Sequence, residues 1–221
     1  MNYDIDKITK AKDEYNKTSI NFSYDRKLEI LTRLQERAEF FGKSRINEMT
    51  KFNFISVLDD LVKQNLIDDY VLGGAAALLY YTSPSFYTED IDIFISIKKQ
   101  SSIFDLSDIY YYLQKEYSAK VEREWIIIKE NPIQFLMPGN NLQQEAFDTA
   151  KVKTISEKQI KIFSLEYLIA IMLWLNKSKY TRRLLLVIEE NQYNKHDLMI
   201  ILKKYNLADK WERLVEFQNN I

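Results

Sequence analysis

The stretch YVLGGAAALLYYTSPSFYTEDIDIFI, residues 70–95, decides how the chain is read. Tyr70-Val71-Leu72 is a short apolar run that stops at Gly73-Gly74, and AAALLYY then supplies helix-forming residues directly after the glycines. Ser83-Pro84-Ser85 breaks that helix. Residues 90–97 alternate strictly, with Asp90, Asp92, Phe94 and Ser96 on one side and Ile91, Ile93, Ile95 and Ile97 on the other. The order is strand, glycine turn, helix, breaker and a second strand whose polar face opens with two acids.

Two aspartates at i and i+2 on a strand share a face and stand about 6.6 to 6.8 Å apart along the chain. Their carboxylates can lean together onto one or two divalent cations. Magnesium suits such a pair, because it takes oxygen ligands and keeps waters that a phosphate can displace. The glycines complete the pattern. Without a Cβ at Gly73 and Gly74 the backbone can approach a phosphate, and the N–H groups of the following helix add donors and a favourable dipole. Alone, a glycine pair is an ordinary turn and Asp-x-Asp an ordinary solvated strand end. Their ordered combination describes a metal-triphosphate site.

Outward from this stretch, Leu28, Leu31, Leu34, Ala38 and Phe41 follow helical spacing over 25–42, with Gly42 as a stop. A second helix over about 52–66 presents Phe54, Val57, Leu58, Leu61, Val62 and Leu66 on one face. Beyond the acids, a helix is expected over roughly 105–117. The runs WIIIK (125–129) and IQFLM (133–137), joined through Glu130-Asn131-Pro132, read as a hairpin. Residues 141–151 read as helical and 158–163 as a last short strand. Ser164 then opens LEYLIAIMLWL, apolar almost all round and so buried among other helices. Asn194 with Asp197 caps a helix whose face is Leu198, Ile201, Leu202 and Tyr205, and Leu207, Trp211 and Leu214 mark another. The fold class is α+β: a small mixed sheet flanked by helices, followed by a C-terminal helical bundle. Three segments are expected: an N-terminal extension with one helix (1–50), an α/β core (51–157) and a helical region (158–221).

The 221 residues, 46% hydrophobic and 29% charged, are enough for a sizeable core. No run approaches the ~18 apolar residues of a membrane span, and the charged start MNYDIDKITKAKDEY is unlike a signal peptide, so a cytoplasmic protein with no membrane partner is expected. The chain has no cysteine and one histidine, His196, which excludes disulfides, thiolate nucleophiles and His/Cys metal cages. Residues 151–221 hold 13 Lys and Arg against 8 Asp and Glu, a mild excess that reads as a solvated helical surface. Tyr110-Tyr111-Tyr112 reads either as a base-stacking run or as part of an amphipathic helix face.

The pattern resembles the nucleotidyltransferase fold of the DNA polymerase β superfamily, whose signature is a glycine pair or Gly-Ser at a helix start followed by Asp-x-Asp on the next strand. More narrowly, GGAAALLYYTSPSFYTEDIDIFI, IQFLMPGNNLQQEAF and LEYLIAIMLWLNKSKYTRRLLLVIEE are similar to bacterial proteins related to the AbiEii toxin group. The resemblance covers roughly 53–215. It implies that Asp90 and Asp92 are the catalytic acids that bind Mg2+, and that Gly73, Gly74 and Thr88 belong to the site that seats a nucleoside triphosphate.

This chain departs from the family in two places. Gln134 stands where many active members have a third carboxylate, which removes a charge and a general base. Glu145 or Asp148, in the following segment, could supply the missing acid. Where relatives carry a basic-x-Lys-Asp segment that contacts the nucleotide, this chain keeps Lys177 and Lys179 but has Tyr180 in place of the acid. The resemblance therefore implies one of two things. One is a magnesium-dependent enzyme that transfers a nucleoside monophosphate to an RNA (such as tRNA) or protein hydroxyl, in a toxin-antitoxin setting with a cognate partner protein. The other is a catalytically degenerate nucleotide-binding or regulatory protein of the same fold. A plain interaction protein with solvated acids is the third reading.

Overall fold

The computed structural model describes residues 54–82, 88, 90–97, 106–129, 131–155 and 158–219. The helix expected over 25–42, and with it the N-terminal extension, lies outside the described residues. The first described element, α1 (Phe54–Lys63), buries Phe54, Val57, Leu58 and Leu61, the apolar positions that the periodicity picks out. Its polar side also holds the core together. Asp59 accepts a hydrogen bond from the Tyr70 hydroxyl at 2.5 Å, and Asp60 accepts from Tyr112 and Tyr117 at 2.5 and 2.9 Å. Those two tyrosines hold the Asp60 carboxyl below its usual range.

Strands β1 (Asp69–Leu72), β2 (Ile91–Ser96), β3 (Lys120–Glu122), β4 (Trp125–Ile128), β5 (Asn131–Leu136), β6 (Lys151–Ile155) and β7 (Lys158–Ile162) form one mixed sheet in the order β3-β4-β5-β2-β1-β7-β6. At its centre β2 runs antiparallel to β1, with Leu72 opposite Ile93, and parallel to β5, with Asp92 opposite Gln134. The expected 125–137 hairpin forms as β4 and β5, with Ile128 opposite Asn131. Ile91, Ile93 and Ile95 are fully buried, as the alternation requires, and Phe94 on the opposite face is buried as well. Two edge strands, β3 and β6, were not expected. β3 is wholly exposed, and Val152 of β6 is 57% exposed, so neither has an apolar face for a period of two to display.

Helix α2 (Gly74–Tyr81) follows β1, and α3 (Ser107–Tyr117) follows β2. Helix α4 (Asn141–Asp148) is capped by Asn140, whose side chain accepts from the Gln143 N–H. Strand β7 pairs with β1 through Leu72 and Ile162, so the sheet reaches beyond residue 157, the expected end of the α/β core. The C-terminal part is helical from α5 (Leu165–Leu175) through α6 (Ser178–Glu190), α7 (Lys195–Lys204) and α8 (Ala208–Asn219). Ser164 caps α5, and Asn194 caps α7 by accepting from the His196 and Asp197 N–H groups. His196 itself is exposed.

Helix α5 is the hub of this half. It buries eight of its residues and packs against α2, α4, α6 and α7, joining the sheet-side helix to the bundle. Ile169 at its centre is fully buried. Truncation to Ile169→Ala should therefore lower the free energy of unfolding by about 2–5 kcal/mol, seen as an earlier midpoint in urea.

Candidate nucleotide and metal site

The Gly73 N–H donates to the backbone oxygen of Asp92 at 2.9 Å, which ties the start of α2 to the acid-bearing strand. Gly73 is the extended cap residue of α2, and a Cβ there would meet the Phe94 ring at 2.7 Å. Phe94 is held in turn by Phe163, with ring centroids 4.7 Å apart. Gly74 has φ +57°, a conformation that side chains resist, and a Cβ on it would lie 1.7 Å from Asp92 Oδ2. The carboxylate of Asp92 thus stands directly over the first turn of α2, where the N–H groups have no acceptor within the helix. Glycine is needed at 74 because the acid occupies the space of its side chain.

Asp92 and Asp90 line one cavity of about 340 Å³ together with Gly74, Thr88, Gln134, Lys177 and Lys179. Gln143, Tyr180 and Arg183 join them, and Phe163, Leu168 and Met172 supply part of an apolar wall. Thr88 is buried, and its hydroxyl lies 3.1 Å from Asp90 Oδ1 and 3.2 Å from the Asp90 backbone oxygen, which orients that carboxylate. Burial, with the charge of Asp90 beside it, pushes the Asp92 carboxyl up to about 6, while Lys179 and Arg183 pull the other way. Burial presses the Arg183 guanidinium below its ordinary value, opposed by Tyr180, Asp90 and Asp92. The Tyr180 ring lies between cations: Lys179 Nζ is 5.3 Å from its centroid and the Arg183 guanidinium carbon 5.8 Å.

Seven of the residues picked from sequence, Gly74, Thr88, Asp90, Asp92, Gln134, Lys177 and Lys179, therefore surround one cavity. Gly73 supports the site from behind. Glu145 is not among the lining residues: Lys204 donates to it at 2.8 Å and the Tyr205 hydroxyl also donates to it, and these bonds hold its carboxyl below the usual range. The exposed Asp148 accepts instead from Gln144. Arg183 also lines the cavity, although no motif in the sequence singles it out. Its spacing of four from Lys179 on a helix was the signal that both would face one site.

The two carboxylates, the Gln134 amide and the Thr88 hydroxyl make an all-oxygen donor set. The raised Asp92 carboxyl marks negative charge that a cation would relieve, so one hard divalent ion such as Mg2+, with waters completing its shell, fits these residues. Among the described residues no group of three or more His, Cys, Asp or Glu side chains gathers around one point, so a fully carboxylate two-metal cage is absent there.

The fold is nucleotidyltransferase-like. An antigenic nucleotidyltransferase-like protein from Paracoccidioides brasiliensis superposes with a TM-score of 0.50 over 75% of this chain and 90% of its own, at 18% sequence identity. A likeness at that identity speaks for the fold. No family model and no curated protein matches the chain. Among the described residues no helix is long and apolar enough to cross a membrane.

Two outcomes follow from the Gly74–Asp92 contact. The variant Gly74→Ala should displace the Asp92 side chain and lower the melting temperature, because both the φ and the 1.7 Å approach oppose it. The second outcome concerns pH. The folded Asp92 carboxyl titrates near 6 against about 3.9 in an unfolded chain, so its ionisation opposes folding. The penalty is absent below pH ~4, grows as pH rises towards ~6 and is complete above it. In chelator-treated protein, Asp92→Asn should therefore be the more stable form at pH 7.5, by on the order of 2 kcal/mol, and the advantage should vanish near pH 4 in paired urea titrations.

Proposed function

We propose that the chain binds a nucleoside triphosphate with Mg2+ and transfers its nucleoside monophosphate to a hydroxyl, releasing pyrophosphate. The observation that carries this reading is the meeting of Asp90 and Asp92 with the start of α2 and with Lys177, Lys179 and Arg183 around one cavity. A triphosphate needs both kinds of group, cations for its charge and acids for its metal. Asp90 and Asp92 would hold the ion, with Thr88 fixing the orientation of Asp90. The bound ion would neutralise the triphosphate and polarise its phosphoryl oxygens. Gly74 lets the Asp92 carboxylate, and with it the ion that would carry the phosphates, sit against the start of α2, whose first-turn N–H groups would add donors there. Lys177, Lys179 and Arg183 stabilise charge on the departing pyrophosphate. The bond formed joins the acceptor oxygen to the α-phosphorus, the bond broken is that to the bridging oxygen of the β-phosphate, and the acceptor proton passes to solvent. An RNA end, such as that of a tRNA, or a protein side chain would supply the hydroxyl. The likeness to the AbiEii-related proteins supports a toxin-antitoxin setting, with a cognate partner protein, for this cytoplasmic activity.

A specific observation favours a second reading. Gln134 lies directly opposite Asp92 on the neighbouring strand, the place from which a third carboxylate would reach the same ion. A neutral amide there weakens the hold on a second cation. The chain would then bind nucleotide and regulate a partner without turnover.

Melting curves with each NTP, with and without Mg2+, test the common part of both readings. At ~100 times its dissociation constant a nucleotide should stabilise the fold by about 2.7 kcal/mol, and only with magnesium. Asp92→Asn should abolish that gain while remaining folded, whereas stabilisation that persists in the variant removes Asp92 from the site. Pyrophosphate release by the wild type with an RNA or protein acceptor separates the enzyme from the binding protein.

A further inference from the structure

The proposed reaction needs an acceptor hydroxyl, and among the described residues the cavity wall holds two, those of Thr88 and Tyr180. Thr88 is committed, because its hydroxyl bonds the carboxylate and the backbone oxygen of Asp90. Tyrosines elsewhere in the fold are committed too: Tyr70 donates to Asp59, Tyr112 and Tyr117 to Asp60, and Tyr205 to Glu145. Among the described residues no such acceptor takes the Tyr180 hydroxyl. Tyr180 stands half-buried in the first turn of α6, its ring pinned by Lys179 and Arg183, two of the cations assigned to the phosphates. Burial raises the Tyr180 hydroxyl above its ordinary value, Arg183 lowers it, and the charges of Asp92 and Asp90 raise it further. Its oxygen therefore lies within electrostatic reach of both acids and of Arg183.

A hydroxyl between the groups that would hold the metal and the groups that would hold the phosphates stands where an acceptor must stand. We propose that the chain transfers a nucleoside monophosphate to its own Tyr180. The phenolic oxygen bonds to the α-phosphorus of the bound triphosphate, and the bond from that phosphorus to the bridging oxygen of the β-phosphate breaks. Pyrophosphate leaves with the electron pair, and the phenolic proton passes to solvent. Held in the same cavity as the triphosphate, Tyr180 acts at an effective concentration far above that of a diffusing acceptor. The product stays where it formed. A monophosphate on Tyr180 occupies the space between acids and cations, so one transfer closes that chain to further nucleotide.

This inference rests on the nucleotide site proposed above, and two measurements on the full chain separate them. Melting curves with each NTP and Mg2+ report binding, and intact mass after the same incubation reports transfer. The mass should rise by one nucleoside monophosphate per chain and no more, with the label mapped to the peptide that carries Tyr180. Because donor and acceptor share one molecule, the labelled fraction at saturating NTP should not change when the protein is diluted. Tyr180→Phe keeps the ring between its cations, should leave the nucleotide-free melting temperature near that of the wild type, and should lose the label. Binding without a gain in mass, label on another residue, or label that persists in Tyr180→Phe overturns the self-transfer and leaves the nucleotide site standing. A labelled fraction that falls on dilution overturns transfer within one chain. Failure of every NTP both to stabilise the fold and to label it overturns the nucleotide site as well.

Discussion

The contact between the Asp92 carboxylate and the backbone at Gly74 is the constraint around which the site is built. It can exist only because residue 74 lacks a side chain and because the antiparallel register places Leu72 opposite Ile93. A slip of one residue would turn Asp92 to the opposite face and leave Gly74 facing Ile91 or Ile93. The register is protected by the buried isoleucines, which would come to the wrong side in any such slip. Core packing and site geometry are thus specified by the same strand, with the apolar face anchoring what the polar face presents.

The site is nevertheless made of two halves. Asp92 stands on β2 with Asp90 just before it, and the helix start directly follows β1, whereas Lys177, Lys179, Tyr180 and Arg183 come from the cap and first turns of α6. Helix α5 couples them, because it packs on α2 at one side and on α6 at another, and it ends just before Lys177. Its nearly all-round apolar surface is what a helix in that position requires: it has almost no face left for water. Attraction between the acids and the cations across the cavity reaches in the same direction, and in a partly dry pocket it is stronger than between exposed side chains.

Much of this was legible in the sequence for particular physical reasons. A glycine pair before a helix and alternating Asp and Ile positions are local signals, and the structure brings Gly74, Asp90 and Asp92 to one place without any long-range information having been needed. Asn194 and Ser164 announced their helices because a cap acts within one turn. What was not legible was set by tertiary neighbours. Strands β3 and β6 are edges whose exposed residues carry no apolar rhythm. Glu145 looked available as a metal ligand until the fold brought Lys204 and Tyr205 to it from α7 and its end, about sixty residues away in the chain. The cap that Asn140 makes lay in the spacing Asn140-x-x-Gln143, but the place of Gln143 on the cavity wall depends on where α4 packs.

The order of these parts along the chain sets when a newly made protein acquires them. The glycine turn and both acids have been synthesised by residue 92, but the cationic side of the cavity is encoded at 177–183, about eighty-five residues later. At an elongation rate of about 5 to 20 residues per second, the nascent chain carries its acids for roughly 4 to 17 seconds before the cations that balance them can fold into place. Through that interval the acidic half of the cavity has no cationic half opposite it. Translation therefore keeps the site incomplete until the bundle has been made.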